Sequence, residues 1–261
     1  MRNPTAALLV IGDEILSGRT RDTNTGYLAR RLTEAGIDLR EVRMVGDVEE
    51  EIVAALNALR RRYAYVFTSG GIGPTHDDIT ADSVAKAFGV PIGVREDARA
   101  ILAAHYLDPE RELNAARLRM ARIPDGAVLI ENPISRAPGF RLGNVHVLAG
   151  VPAVFEAMVE SVLPTLVGGA PLLSHTLRVF LAEGLVAGPL GEIAAANRDV
   201  SIGSYPFQRD GRFGATLVVR SQDRARLAAV AAAIRAMVQE LGATELAETP
   251  PPDPSHPGGL G

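Results

Sequence analysis

The sequence predicts an α/β fold in which helices cover a largely parallel sheet, followed by a small α+β domain. Two observations lead to this prediction. The first ninety residues alternate between strand-like and helix-like patterns in the order β-α-β-α-β-loop-α, which is typical of parallel α/β layers. Hydrophobic residues make up 47% of the 261-residue chain, enough to bury a sizeable core.

Apolar or alternating runs predict strands at residues 5–12, 39–45 and 64–68. Helical spacing predicts helices at residues 22–36 and 47–62, the second with Asp47 as its cap and Glu50 in the capping-box position. A third helix is expected at residues 81–88. Because ligands bind at the carboxyl ends of strands in such sheets, the segments after the first and third strands could face one crevice.

The remainder of the first domain continues the alternation. Helices are predicted at residues 96–106, 109–122 and 152–167, and strands at residues 127–133 and 144–150, with residues 134–140 as a loop. Residues 1–170 are therefore predicted as one α/β domain, ending in a glycine-rich linker at residues 168–171.

The second domain is predicted over residues 171–245 in the order β-α-β-β-α. Its strands are expected at residues 175–181, 200–205 and 214–220, and its helices at residues 190–197 and 223–241. Residues 246–261 include TPPPDPSHPGGLG, a composition that cannot bury apolar surface, and we expect this tail to be disordered.

Charge and composition limit the function classes. The formal net charge of −4 argues against a general nucleic-acid binder. The absence of cysteine excludes disulfides, thiolate metal sites and cysteine nucleophiles. No apolar run approaches the roughly 20 residues that span a bilayer, and the N-terminus does not resemble a signal peptide. We expect a cytoplasmic protein that contacts neither membrane nor nucleic acid.

The segment TSGGIGPTHDDIT, residues 68–80, combines backbone freedom with negative charge. Gly70, Gly71 and Gly73 follow a strand and precede a helix, where backbone N–H groups and the helix dipole favour an anion. Asp77 and Asp78 would repel a phosphate unless a cation lay between them, and Mg²⁺ prefers carboxylate and phosphate oxygens. The pattern therefore indicates a metal-bound phosphate or pyrophosphate. In the alternative interpretation, Asp78 or Thr80 merely caps the helix and the glycines form a tight turn.

A second acidic segment, GDEILSG, places Asp13 and Glu14 directly after the first strand. These carboxylates could complete a metal site or position a water, or could simply form the acidic first turn of a helix. His76 could bind metal or act as a base, although a loop histidine is more often only solvated.

Two further segments carry polar groups or glycine turns. In NPISRAPGF, Asn132 could read a ring edge and Arg136 could pair with a phosphate. LAGVP, with Gly150, is another glycine turn before a helix. In the second domain, GPLG formally fits the RNA-binding GxxG loop, but its flanking glutamates and lack of lysine argue against RNA binding.

Taken together, the motifs resemble those of the molybdopterin-binding MoaB/Mog domain, in the version found in the competence/damage-inducible protein A (CinA) family. GDEILSG, DTN at residues 22–24, GGIGPTHDDIT, NPISRAPGF and LAGVP occur in that family's order and at similar spacing. GSYPF at residues 203–207 resembles the KH-like second domain of CinA proteins. The first domain is also similar to the corresponding domain of eukaryotic FAD synthases.

The resemblance implies a three-layer α/β/α domain that binds a nucleotide or pterin pyrophosphate. It implies divalent-metal-dependent ADP-ribose pyrophosphatase activity, or molybdopterin adenylylation with Mg²⁺-ATP. It also implies a homo-oligomer, dimeric as in CinA-type or trimeric as in Mog-type relatives. Ala149 and Ala153 replace a proline and a serine that the family often has, which weakens the ligand contacts implied there. The chain also ends before an amidohydrolase domain could begin, so that domain's activity is not carried over.

We therefore predict a metal-dependent nucleotide pyrophosphatase acting on an ADP-ribose-like substrate. The alternatives are a pterin- or nucleotide-binding carrier or sensor without catalysis, and a molybdopterin adenylyltransferase. Mg²⁺, Mn²⁺ or Co²⁺ is the expected cofactor, with Asp78, Asp77 and Glu14 as its ligands. The predicted catalytic residues are Asp78, Asp13 and Glu14. The predicted substrate- or phosphate-binding residues are Gly70, Gly71, Gly73, Thr75, Asn24, Asn132, Arg136, Gly139 and Gly150.

Overall fold

The computed structural model describes residues 3–243 and 245–251, and the chain divides into two compact units with the boundary after Ala170. The strands of the first unit are β1 (Thr5–Ile11), β2 (Asp38–Val45), β3 (Tyr65–Ser69), β4 (Ile92–Val94), β5 (Arg122–Pro124), β6 (Val128–Ile130), β7 (Gly139–Leu142) and β8 (Val145–Leu148). Its helices are α1 (Asp13–Leu16), α2 (Asn24–Glu34), α3 (Glu49–Arg62), α4 (Thr80–Phe88), α5 (Glu96–Ala103), α6 (Pro109–Glu112), α7 (Ala115–Leu118) and α8 (Pro152–Val162). Short 3-10 turns cover Arg119–Ala121 and Leu163–Thr165.

The central sheet of the first unit has six strands in the order β2-β1-β3-β8-β7-β6. The first four strands of this order run parallel, and β7 and β6 add an antiparallel edge. The predicted fold class, a mostly parallel sheet within an α/β unit, is confirmed. Two short strands that the sequence patterns did not reveal, β4 and β5, pair separately.

Both faces of the sheet are buried, which explains the continuous apolar run of β1. Ala7, Leu9 and Ile11 point into a core formed with α3, α4 and α5. Ala6, Leu8 and Val10 point into a second core formed with α2 and α8. Helices therefore cover each face, as expected for a parallel sheet.

The predicted cap of α3 is wrong. The helix begins at Glu49 after Val48, and no side chain caps it. The Asp47 carboxylate instead accepts a hydrogen bond from the Asp13 backbone N–H (3.0 Å), so it joins the ends of β1 and β2. The Asp47 side chain, which the local sequence assigned to the start of α3, is therefore hydrogen-bonded to a residue distant in sequence.

The predicted helix at residues 109–122 is broken into three pieces. Asn114 accepts a hydrogen bond from the Arg117 N–H (3.0 Å) and starts a new helical segment. The chain then tightens into a 3-10 turn and enters β5. The predicted loop at residues 134–140 likewise gives way to β7 at Gly139. These strands have three or four residues, too few for a periodic pattern to be recognised.

The second unit consists of β9 (Leu173–Val179), α9 (Glu183–Ala196), β10 (Ser201–Arg209), β11 (Arg212–Ser221), α10 (Arg224–Glu240) and β12 (Leu246–Thr249). Its sheet is antiparallel in the order β10-β11-β9-β12. Asp223 caps α10 by accepting hydrogen bonds from two backbone N–H groups. GPLG lies inside α9, which begins well before residue 190, so these residues are not a loop of the GxxG type.

The strand β12 overturns part of the predicted disordered tail. Residues 246–249 pair with β9, whereas residues 252–261 lie outside the described residues. Glu248 fixes this strand, because its carboxylate accepts two hydrogen bonds from Arg235 on α10 (2.5 and 2.6 Å) and lies 3.0 Å from the His175 ring nitrogen. The Arg235 guanidinium, supported by His175, lowers the pKa of Glu248 to about 2.

We expect Glu248→Gln to lower the free energy of unfolding by about 1 kcal/mol at pH 7, the range of a partly exposed ion pair. Because the folded pKa lies below the ordinary carboxyl value of 4.5, the stabilisation is complete above that value and is lost as pH falls toward 2. Urea unfolding followed by circular dichroism at pH 7 and pH 3 measures this effect. If the difference in unfolding free energy between native protein and variant were the same at both pH values, the Glu248 ion pair would not be its source.

His146, in the first unit, is a second residue whose protonation should make the stability depend on pH. The ring is 2% exposed, stacks on Phe67 at 5.0 Å between centroids, and neither ring nitrogen has a partner among the described residues. Burial lowers the pKa of His146 to about 4. The imidazole is therefore neutral in the folded protein.

In the unfolded chain His146 is protonated below about pH 6.5, whereas in the folded protein it is protonated only below about pH 4. The free energy of unfolding should therefore fall as the pH is lowered from 6.5 to 4. The loss reaches up to about 3 kcal/mol at its acidic end, at 1.36 kcal/mol per pKa unit. His146→Phe keeps the stacking and removes the titration. Its urea-unfolding free energy, relative to that of the native protein, should rise steadily from pH 6.5 to pH 4. Parallel pH profiles for the two proteins would exclude His146 as the source.

Candidate functional site

The candidate site lies where the parallel strands β1, β3 and β8 end. Their carboxyl ends lead into residues 12–14, 70–73 and 149–150 respectively. The Gly70 N–H donates to the Leu148 carbonyl (3.2 Å), and a Cβ on Gly70 would overlap the Ile11 carbonyl. The three strand ends thus converge on one glycine, whose positive φ of 108° also favours glycine.

Asn24, at the start of α2, ties two of these strand ends together. Its side-chain amide donates to the Ser69 hydroxyl and to the Gly150 carbonyl, both at 2.8 Å. These two bonds fix the amide orientation, and the Asn24 Oδ1 is buried without a partner among the described residues. Because that oxygen can only accept, it suits a hydrogen-bond donor of a substrate or a cation and not a phosphate oxygen.

The two ends of the glycine loop after β3 are hydrogen-bonded to each other. Thr80 holds it by donating its backbone N–H to the Gly71 carbonyl and its hydroxyl to the Gly70 carbonyl, both at 2.9 Å. Within the loop, the backbone N–H groups of Gly71, Ile72 and Gly73 donate no hydrogen bond to any group in residues 3–243 and 245–251. They remain available to bind an anion.

Asp78 does not cap α4, and neither does Thr80. The Asp78 Oδ2 accepts hydrogen bonds from the Thr75 N–H (2.8 Å) and the Thr75 hydroxyl (2.5 Å), which closes the loop back toward Gly73. A Cβ on Gly73 would lie 2.6 Å from that oxygen, so a side chain at this position would displace the Asp78 carboxylate. The interpretation of this segment as a simple helix cap is wrong.

Two arginines that sequence reasoning missed line the same pocket as Gly71, Gly73 and Asp78. Arg119 donates to the Asp78 carbonyl (3.2 Å), and its Nε is buried without a partner among the described residues. Arg122 forms a two-pronged ion pair with Asp82 of α4 (2.6 and 2.9 Å). Nothing in the local sequence pointed to them, because they lie some forty residues after the loop in a segment predicted as helix.

Asp13, Glu14 and Asp47 form an acidic group at the ends of β1 and β2. Asp13 and Asp47 each accept a hydrogen bond from the other's backbone N–H (3.0 and 3.4 Å). Burial raises the pKa of Asp47, and the negative charges of Asp13, Glu14 and Asp77 raise it further. Asp47 is thus a further acidic member of the site, which the sequence had assigned to helix capping.

The predicted site residues are divided among separate pockets. The glycine loop and Asp78 line one, Glu14 lines another with Asn24 and Gly150, and Asn132 and Arg136 line a third. His76 is 98% exposed at its side chain. Within residues 3–243 and 245–251, no three His, Asp or Glu side chains are grouped to hold a metal. The predicted trio of Asp78, Asp77 and Glu14 therefore does not form a protein-only metal site in this structure.

Asn132 and Gly139 have structural roles next to Arg136. The Asn132 amide donates to Ser135 and Ala137 and accepts from the N–H groups of Ile134 and Ser135, at 2.6–3.1 Å. This network fixes the turn that places Arg136 at a φ of 60°. A Cβ on Gly139 would overlap the Val147 carbonyl on β8. Of these three residues, Arg136 offers the exposed side chain.

Comparisons with known proteins agree with this architecture. Residues 7–168 match the family described as "Probable molybdopterin binding domain", and residues 171–245 match "FAD synthase, middle domain". The chain is 31% identical over 259 residues to a probable FAD synthase of Caenorhabditis elegans, covering 90% of this chain and 50% of that protein. It is 36% identical over 197 residues to a CinA-like protein of Desulfosudis oleivorans, covering 72% and 47% respectively. It thus spans about half the length of these two relatives.

A solved structure supports the same conclusion. The CinA protein of Thermoplasma acidophilum, whose function is described as unknown, superposes with a TM-score of 0.57 at 36% identity. The match covers 62% of this chain and 98% of that one. No helix in the described part of the chain is long and apolar enough to cross a membrane. The chain is therefore a member of the molybdopterin-binding domain family, in the form found in CinA-like proteins.

Proposed function

We propose that the chain is a metal-dependent hydrolase of nucleotide pyrophosphates, with an ADP-ribose-like substrate. The observation that carries this proposal is the pocket in which free backbone N–H groups of the glycine loop, the Arg119 guanidinium and the Asp78 carboxylate lie side by side. The first two groups bind an anion, whereas the third repels one unless a cation intervenes.

The phosphate-binding part of the pocket is preorganised. The Gly71, Ile72 and Gly73 N–H groups are held in place because Thr80 anchors the loop at two carbonyls. Arg119 is held against the loop through the Asp78 carbonyl. Donors fixed before the substrate arrives stabilise charge that develops on phosphoryl oxygens without reorganising.

The donor set fits a divalent cation that is shared with the substrate. Asp78 Oδ2 is engaged by Thr75, whereas its Oδ1 accepts no hydrogen bond from another described residue and is free to bind a cation. Mg²⁺ commonly takes one or two carboxylates and completes its shell with phosphate oxygens and water. A bound cation would neutralise phosphoryl charge and lower the pKa of a bound water. Asp78 is the ligand we propose, with Asp77 beside it in the chain.

Asn24, Glu14 and Gly150 provide a second subsite at the adjoining strand ends. Asn24 Oδ1 and the Glu14 carboxylate are acceptors, which suit the hydroxyl groups of a ribose or the amino group of a base or pterin. The nucleotide half of the substrate would lie there while its pyrophosphate occupies the glycine loop. The match of residues 171–245 to a FAD synthase domain supports a pyrophosphate-linked dinucleotide as the ligand class.

The carrier alternative rests on one observation, the lack of a three-ligand metal cluster in the described residues. It predicts binding of the same nucleotides without turnover. Adenylyl transfer to molybdopterin is a further alternative, which the family assignment of residues 7–168 favours. It predicts ATP-dependent transfer of AMP and no release of AMP from ADP-ribose.

Purified protein with Mg²⁺, Mn²⁺ or Co²⁺ should release AMP from ADP-ribose, and EDTA should abolish the release. In this reaction water bonds to one phosphorus and the bridging P–O bond breaks, giving AMP and ribose 5-phosphate. Asp78→Asn should lower kcat by about 100-fold or more, the scale of losing one key electrostatic group. Asp210→Asn is the matched control, because Asp210 is exposed in the second unit.

Binding of ADP-ribose to native protein and both variants should be measured by calorimetry alongside turnover. Binding without metal-dependent release in the native protein would replace the hydrolase proposal with the carrier. Unchanged kcat in a folded Asp78→Asn variant would remove Asp78 from the site.

Arg119→Gln should raise KM for ADP-ribose more than it lowers kcat, because Arg119 binds phosphate charge present in both ground state and transition state. A charged hydrogen bond is worth about 1.5–3 kcal/mol, so we expect a roughly 10- to 100-fold loss in kcat/KM. Arg99→Gln is the control, since Arg99 lies on the exposed side of α5. Equal kinetic constants for the two variants would show that Arg119 does not contact the substrate.

A further inference from the structure

The sheet of the second unit has two faces of different composition. The helices α9 and α10 pack against one face, where Leu177, Leu217 and Val219 are buried. Because side chains alternate along a strand, the strand pairing places the other half of the residues on the opposite face. We call this the outer face. It consists of the even-numbered residues of β9 and β11 and the odd-numbered residues of β10 and β12.

The outer face carries arginines and no carboxylate. Four of its positions are Arg178, Arg209, Arg212 and Arg220, and none of the outer positions of these four described strands is aspartate or glutamate. Outside the face, Asp210 lies beside Arg209, and Glu245 pairs with Arg212. The ion pairs of the second unit leave Arg178 and Arg220 without a carboxylate partner among the described residues. The net charge of −4 for the whole chain therefore does not describe this face.

Aromatic rings lie among these arginines. Tyr205 is 49% exposed, and a Cβ on Gly203 would lie 3.2 Å from its ring. A Cβ on Gly214 would likewise overlap the ring of Phe207. The guanidinium carbon of Arg178 lies 5.7 Å from the centroid of the Phe207 ring. The two glycines thus allow the rings to lie against the sheet, with Tyr205 presenting an aromatic surface to solvent.

The segment GSYPF, residues 203–207, supplies both rings and also modifies the edge of the sheet. β10 is an edge strand in the described part of the chain. Pro206 removes one backbone donor from this strand, which disfavours pairing with a further strand. The face of the sheet, and not its edge, is therefore the surface that is suited to a partner.

We propose that the outer face binds single-stranded nucleic acid. An unpaired base would stack on Tyr205, and phosphates would bind Arg178 and Arg220, the combination of ring and cation that such surfaces use. Thr216 pairs with Tyr205 on one side and with Arg178 on the other. Strands lie about 4.8 Å apart, so the backbones at Tyr205 and Arg178 are about 10 Å apart. The Thr216 hydroxyl between them can donate to a phosphate.

A strand of several nucleotides fits this face better than a single nucleotide or a duplex. Arg212 and Arg220 are eight residues apart on one strand, or about 27 Å at 3.4 Å per residue. One nucleotide cannot span that distance, whereas consecutive phosphates can. In a duplex the bases are already paired and stacked, so no base is free to stack on Tyr205. The proposed surface is separate from GPLG, which lies inside α9.

The inference is independent of the proposed hydrolase, because the outer face belongs to the second unit and the glycine loop to the first. Fluorescence anisotropy with the full chain tests it, using labelled oligo(U) and oligo(dT) of about 12 nucleotides. At least one of these probes should bind at about 50 mM salt, and the affinity should fall with salt with a log–log slope of about −1.4 or steeper, for two or more phosphates. A preference between the two probes distinguishes RNA from DNA. Binding of neither probe would overturn the proposal.

Substitution of Tyr205 tests stacking. Tyr205→Leu should weaken binding roughly 5- to 150-fold, the effect of losing one stacked base. Tyr205→Phe retains an aromatic ring and should bind like the native protein. Phe213→Leu is the matched control, because Phe213 is 67% exposed in the same hairpin but lies on the other face of β11. Thermal melting checks that each variant is folded. Native-like binding by a folded Tyr205→Leu variant would reject the stacking surface.

Substitution of Arg178 tests the phosphate contact. Arg178→Gln should reduce the magnitude of the salt slope by about 0.7, the contribution of one phosphate on a single strand. Arg198→Gln is the matched control, because Arg198 is an exposed arginine of the same unit outside the sheet, and its slope should equal the native one. Equal slopes for the two variants would remove Arg178 from the surface.

Competing polyanions test whether unpaired bases are required. Unlabelled long-chain polyphosphate and a duplex of the same length should displace the bound probe less effectively, at equal phosphate concentration, than the unlabelled single strand. If polyphosphate or the duplex competed as well as the single strand, charge alone would account for binding, and the proposal would be wrong.

Discussion

The close approach of three strand ends at Gly70 is the constraint on which the rest of the site depends. Gly70 contacts the Ile11 carbonyl of β1 and donates to the Leu148 carbonyl of β8. A Cβ on Gly150 would lie 3.1 Å from the Gly70 Cα. Because backbone meets backbone here, any side chain at Gly70 would separate the strands and displace the loops that follow them.

The polar groups around this point hold the loops in place. Asn24 links the ends of β3 and β8, and Asp13 and Asp47 link those of β1 and β2. Thr80 and Thr75 fix the glycine loop from its far end. Several groups that look catalytic in the sequence thus also maintain the backbone geometry, so each substitution must be judged by both turnover and folding.

Charge in the site is separated by position. Donors from the glycine loop and Arg119 lie with the Asp78 carboxylate, and Asp82 in the same pocket is paired with Arg122, whereas Asp13, Glu14 and Asp47 gather at the ends of β1 and β2. This separation allows one part of the edge to favour an anion and the neighbouring part to favour hydrogen-bond donors or a cation. The pyrophosphate-linked nucleotide that we propose as substrate carries both kinds of group.

The sequence by itself determined the parallel α/β fold and the position of the glycine loop, because long apolar runs and strand–glycine–helix transitions are local signals. It could not reveal β4, β5 or β7, whose few residues carry no period, or β12, which depends on Arg235 and His175 binding Glu248. It assigned Asp47 to a helix cap and Asn132 to ligand contact. In the structure Asp47 accepts a hydrogen bond from the Asp13 N–H, and Asn132 donates to Ser135 and Ala137 in its own turn. Only the tertiary structure decided these roles and brought Arg119 to Asp78, since hydrogen-bond partners distant in sequence are chosen by packing.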